Sequence, residues 1–131
     1  MQAFIERTIA EARRNGFVTT LLGRRRALPG LNDPDRNTRS FAERAAVNTV
    51  IQGAAADMIK VAMIRIHRRL REEKLQTRML LQIHDELLFE LLPAEEERAK
   101  RLVSEEMTGA LKMDVPVKVN VAVGPNWMEA K

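Results

Sequence analysis

Three consecutive ionisable residues, His84, Asp85 and Glu86, stand between two apolar runs in the stretch Arg78 to Leu92. Apolar runs this short, with no Gly or Pro inside, read as two strands buried on one or both faces. The triplet between them has room only for a tight turn, so an imidazole and two carboxylates project from the tip of a β-hairpin. The usual turn dipeptides, Asn-Gly or Asp-Gly, are absent. Adjacent carboxylates repel each other, and a divalent cation relieves that repulsion; hard oxygen ligands are what Mg²⁺ takes. Read in isolation, the triplet also fits a plain polar turn.

A second constellation is Arg44, Asn48 and Gln52, spaced i, i+4 and i+8 and so on one helix face. The small run Gly53-Ala54-Ala55-Ala56 follows, where another backbone or a ligand can come close. Such a column either satisfies neighbouring loops or presents donors to a DNA minor groove. Adenine N3 and thymine O2 accept hydrogen bonds there in a degenerate pattern, which suits a protein that tolerates any sequence. A third group is Arg24, Arg25 and Arg26. On a strand these point alternately to both faces, so not all can serve one site. They form either a solvated basic loop or phosphate contacts, for which the planar, permanently charged guanidinium is suited.

The elements that must carry these groups are legible in outline. Residues 1–15 read as an amphipathic helix, with Phe4, Ile5, Ile9 and Ala12 at helical spacing and Asn15-Gly16 as its stop. Phe17 to Leu22 is β-prone, and Gly23 makes the turn of a short hairpin. Leu31 to Thr38 is a loop. Thr38 or Ser40 is expected to cap a long helix running to about Glu73, kinked near Gly53. On it Asp57 and Lys60 are spaced as a helix pair, His67 is a surface residue, and Arg65, Arg68, Arg69 and Arg71 form a solvated face. After the acidic turn, Pro93 opens a helix whose Glu95, Glu96 and Glu97 suit the positive end of the helix dipole. Val117, Val119, Val121 and Val123 alternate as in a half-buried last strand, and Trp127 packs the C-terminus.

Composition bounds the rest. The chain has 131 residues, enough for one domain with a real core. It has no cysteine, which excludes disulfides and thiolate metal sites and fits a reducing cytoplasm. No run approaches the ~20 consecutive apolar residues of a membrane span. The net charge of +4 is compatible with a polyanionic partner, while 4% aromatic residues and no Tyr argue against base-stacking platforms. The expected fold class is α+β, with an antiparallel sheet built on the central hairpin and last strand and covered on one face by helices.

The string Leu81-Gln82-Ile83-His84-Asp85-Glu86-Leu87-Leu88-Phe89-Glu90 resembles the third palm motif of the family A DNA polymerases. Ala42 to Asp57 is similar to the family helix whose Arg, Asn and Gln contact primer–template DNA, which carries those roles to Arg44, Asn48 and Gln52. Thr20 to Arg26 resembles the Gly-Arg-Arg-Arg segment between fingers and palm. Val119 to Trp127 resembles the last strand and closing Trp. The resemblance runs through essentially the whole chain in the family's order.

The resemblance implies a C-terminal piece of a DNA-directed DNA polymerase. Residues 1–37 correspond to a residual fingers helix and short hairpin, and residues 38–131 to part of the palm. Asp85 becomes a bridging carboxylate for two-metal nucleotidyl transfer, Glu86 a nearby carboxylate with a lesser role, and His84 a group that positions the primer terminus or steadies the turn. The implied partners are primer–template DNA, the rest of the polymerase chain and, in the complete enzyme only, deoxynucleoside triphosphates. The family's second catalytic Asp and its nucleotide-holding fingers helix find no counterpart in this sequence. Weak Mg²⁺ binding and no synthesis by this chain alone are therefore expected. Two other classes stay open, a non-catalytic duplex-DNA-binding module and a complementing subunit of a split polymerase.

Overall fold

In a computed structural model, residues 1–130 are described. They form three α-helices, two antiparallel two-stranded sheets and two short 3₁₀ turns. The fold is mixed α+β, and the chain divides into two compact units, Met1–Asp57 and Met58–Lys131.

The first unit opens with α1, Gln2–Asn15, which stops where Gly16 turns left-handed at φ 79°. A left-handed residue ends a helix cheaply only if it lacks a Cβ. The hairpin β1, Phe17–Thr19, and β2, Arg25–Ala27, pairs Phe17 with Ala27 and Thr19 with Arg25. Gly23, also left-handed at φ 80°, lies in its turn, as the sequence indicated. A 3₁₀ turn, Pro29–Asn32, follows and buries Leu31. The helix α2 spans Arg36–Glu72. Its cap is Asp35, and neither Thr38 nor Ser40 plays that part. Asp35 Oδ2 accepts from the Thr38 backbone N–H at 2.7 Å and from its hydroxyl at 2.8 Å. A carboxylate accepts such bonds at the positive end of the dipole, and the Thr38 N–H foremost holds its pKa below the ordinary range. Ala12, Val18, Leu28, Leu31, Ala42 and Ala46 make the core of this unit.

In the second unit, Ala62, Ile66 and Leu70 of α2 recur at i, i+4 and i+8 and meet Leu102 and Val103 of α3, Glu96–Thr108. Strands β3, Arg78–Ile83, and β4, Glu86–Glu90, form the central hairpin. Its Met79, Leu87 and Phe89 pack on that helical core, so helices cover one face of the sheet as expected. Full burial of a side chain such as Ile66 or Leu102 contributes about 1.5–3 kcal/mol.

Several expectations are corrected. No strand is assigned to residues 115–123; the valine alternation is there, but among the described residues the sheet has only β3 and β4. Gly53 lies within α2 at a close approach: a Cβ there would stand 2.4 Å from Thr20 Cγ2. Asp57 pairs with Arg24 in place of Lys60. Pro93 opens a 3₁₀ turn, Pro93–Glu95, and α3 follows with Glu96 and Glu97 in its first turn, while the Glu95 side chain reaches back along the chain. Its carboxylate accepts from the backbone N–H groups of Gln76 and Thr77, both at 2.8 Å, and from the Thr77 hydroxyl at 2.7 Å. Arg69 is no solvated residue, since its guanidinium binds Glu73, Glu105 and Glu106 and joins α2 to α3. By length and composition α2 also has a window apolar enough to cross a membrane. Ala42 and Ala46 of this helix belong to one core and Ala62, Ile66 and Leu70 to the other, and Asp57 and Lys60 stand near its middle.

Candidate active site and nucleic-acid interface

The acidic turn belongs to the second unit. Ile83 pairs with Glu86, so His84 and Asp85 alone make the turn. All three side chains of the triplet are exposed at the hairpin tip. His84 is left-handed at φ 52°, the conformation that a two-residue hairpin turn usually gives to Gly or Asn. Gln82 Nε2 donates to the His84 carbonyl oxygen at 2.8 Å and holds that conformation from the adjoining strand.

A bulge at Leu80 sets the faces. Met79 pairs with Phe89, but Leu81 pairs with Leu88 and Gln82 with Leu87. One extra residue reverses which side every following side chain takes. Leu81 and Leu88 thereby share the face opposite Phe89 and Leu87. Trp127 reaches this hairpin and lines a cavity of about 30 Å³ with Leu81, Ile83, Glu86, Leu87 and Leu88. The sequence placed Trp127 at the C-terminus but carried no signal for its neighbour Glu86.

Asp85 and Glu86 offer hard oxygen donors of the kind Mg²⁺ takes. Among the described residues, no three His, Asp or Glu side chains come together closely enough to hold a metal ion. The donor chemistry fits Mg²⁺, while the donor count leaves most of an octahedral shell to water.

In the first unit, Arg44, Asn48 and Gln52 are all exposed on one face of α2. Arg44 Nη1 donates to Ser40 Oγ at 2.9 Å, one turn back. Phe41 and Ile51 lie along the same strip and are also exposed, 66% and 53%. The hairpin arginines alternate as strand geometry requires. Arg24 binds Asp57, Arg26 Nη1 donates to Thr49 Oγ1 at 2.8 Å, and the Arg25 guanidinium lies over the Phe17 ring, 4.7 Å from its centroid. The Thr20 hydroxyl foremost, then Arg24 and the Leu22 N–H, hold the Asp57 carboxyl below its ordinary range against the opposing effect of burial.

Residues 1–129 match DNA polymerase family A. The chain belongs to that family. Within it, this chain is 51% identical over its full length to DNA polymerase I of Bacillus subtilis (strain 168), of which it covers 15%. It is 52% identical to DNA polymerase I of Geobacillus stearothermophilus, again over 15% of that protein. Against the thermostable DNA polymerase I of Thermus filiformis the identity is 47% over 16% of its length. Among solved structures, the POL domain of Pol1 from M. smegmatis in complex with DNA primer-template and dNTP superposes with a TM-score of 0.95 at 45% identity, covering 98% of this chain and 23% of that one. This family A chain thus spans about 15% of the length of these polymerases I.

Proposed function

We propose that this chain is the distal palm of a DNA-directed DNA polymerase, with an adjoining piece of the fingers in residues 1–37. The observation that carries the reading is the exposed two-residue turn that sets Asp85 beside Glu86 at the tip of a hairpin anchored by Met79, Leu87 and Phe89. An anchored hairpin presents its acidic tip to solvent with little freedom, which a group that meets a phosphoryl centre requires. In this reading Asp85 and Glu86 hold Mg²⁺, which supplies charge stabilisation to phosphoryl transfer when bound. His84 steadies the turn or meets the primer terminus. Arg44, Asn48 and Gln52 give sequence-tolerant donors to a duplex minor groove, and the arginine run of the hairpin supplies phosphate contacts. Primer–template DNA and deoxynucleoside triphosphates are the partners of the complete enzyme, whose setting is the cytoplasm.

Two carboxylates hold cations weakly, so the chain alone carries no synthesis. The test is a graft. In place of the matching segment of Bacillus subtilis DNA polymerase I, this chain supports primer extension, and Asp85→Ala in the graft abolishes it. The isolated chain extends nothing. Extension by the isolated chain, or full activity of the Asp85→Ala graft, refutes the assignment.

A further inference from the structure

Asp57 is a buried charged residue that neither the acidic turn nor the exposed column of α2 uses. It is 4% exposed, and its Oδ1 accepts from Arg24 Nε at 3.3 Å and Nη2 at 3.2 Å. Its Oδ2 is buried with no partner at hydrogen-bonding geometry. The Thr20 hydroxyl and the Leu22 N–H also favour its charged form, yet burying an ion pair remains costly. Around it the hairpin tip is drawn onto α2. Thr20 sits in the space left by the missing side chain of Gly53. The Thr20 hydroxyl accepts from the Arg24 N–H at 3.3 Å, and the Thr20 N–H donates to the Arg24 carbonyl at 2.9 Å.

The two arginines that follow have neutral partners, the Phe17 ring and the Thr49 hydroxyl. Their charges stay uncompensated, whereas that of Arg24 is matched by Asp57. We propose that Asp57 is a positioning residue: it pins the hairpin tip over Gly53 and withdraws Arg24 from the phosphate-facing set, leaving Arg25 and Arg26 as the two cations the hairpin offers to a polyanion. The inference rests on the duplex-binding reading above.

The experiment is duplex-DNA binding by the 131-residue chain as a function of salt. Each phosphate-paired cation contributes a slope of about 0.9 in log K against log salt. Arg26→Ala lowers the slope by about 0.9, and Arg24→Ala leaves it unchanged. Asp57→Asn frees Arg24 and steepens the slope by about 0.9, and the double variant Asp57→Asn with Arg24→Ala returns it to the wild-type value. A purely structural salt bridge would leave the slope of Asp57→Asn at the wild-type value. A fall of about 0.9 on Arg24→Ala overturns the proposal, and that variant decides it even where Asp57→Asn fails to fold. Absence of duplex binding by the wild-type chain sinks the interface reading itself. In that event a double-mutant cycle of Arg24→Ala and Asp57→Asn in urea unfolding still tests the lock, and zero coupling refutes it.

Discussion

Replacing Gly53 by Ala sets two effects of known size against each other. In an exposed helix interior the change stabilises by about 0.5–1 kcal/mol, because Gly loses more backbone freedom on folding than Ala. Here the new Cβ would stand 2.4 Å from Thr20 Cγ2, 3.4 Å from Thr20 Cβ and 3.7 Å from Arg24 Nη2. Thr20 cannot swing away freely, because it is buried and its hydroxyl is engaged by the Arg24 N–H. Overpacking of this kind costs about 1–3 kcal/mol. The clash exceeds the propensity gain, so Gly53→Ala is expected to destabilise by about 1 kcal/mol. Thr20→Ser removes the offending methyl group and keeps the hydroxyl, so in that background Gly53→Ala becomes neutral or stabilising. Urea unfolding followed by circular dichroism on the four proteins of the cycle reads the coupling directly. A higher midpoint for the single Gly53→Ala variant, matching the propensity gain alone, would refute the close approach. So would zero coupling with Thr20→Ser.

The Glu95 carboxyl is held below its ordinary range, by the Gln76 N–H foremost and then by the Thr77 hydroxyl. Its clasp therefore stabilises fully above the ordinary glutamate pKa and is lost as pH falls through the depressed folded value. Glu95→Gln should lower the melting temperature at neutral pH and flatten its fall on the acid side; an unchanged acid limb counts against the clasp. Arg69 is pulled further up by Glu105, Glu73 and Glu106 together and stays charged at any working pH. Arg69→Met should cost about 1–2 kcal/mol in urea unfolding, a half-exposed network falling between surface and buried pairs, with the loss shrinking in high salt. Asn48→Ala with Gln52→Ala removes two neutral donors worth about 0.5–1.5 kcal/mol each. Duplex affinity should fall by roughly 5- to 150-fold at an unchanged salt slope. An unchanged duplex affinity in the double variant would refute the contact.

The acidic turn was legible because three ionisable residues interrupt two apolar runs, and the exposed column on α2 because its members recur at four-residue intervals. Helix stops and turns at Gly16 and Gly23 were legible because their positive φ admits little else. Local chemistry and periodicity determine such features, and they determine faces. They do not name partners. The valines of residues 115–123 alternate as a strand does, yet a strand exists only against a hydrogen-bonded neighbour, and the sheet stops at two. Asp57 reads as a mate for Lys60 three residues on, but Arg24, 33 residues away in the chain, takes it. Arg69 reads as solvated until α3 brings Glu105 and Glu106 to it. The bulge at Leu80, hidden in an unbroken apolar run, decides which side Gln82 and Ile83 take. The tertiary structure alone decides these, because each depends on which distant surface excludes water from the same place.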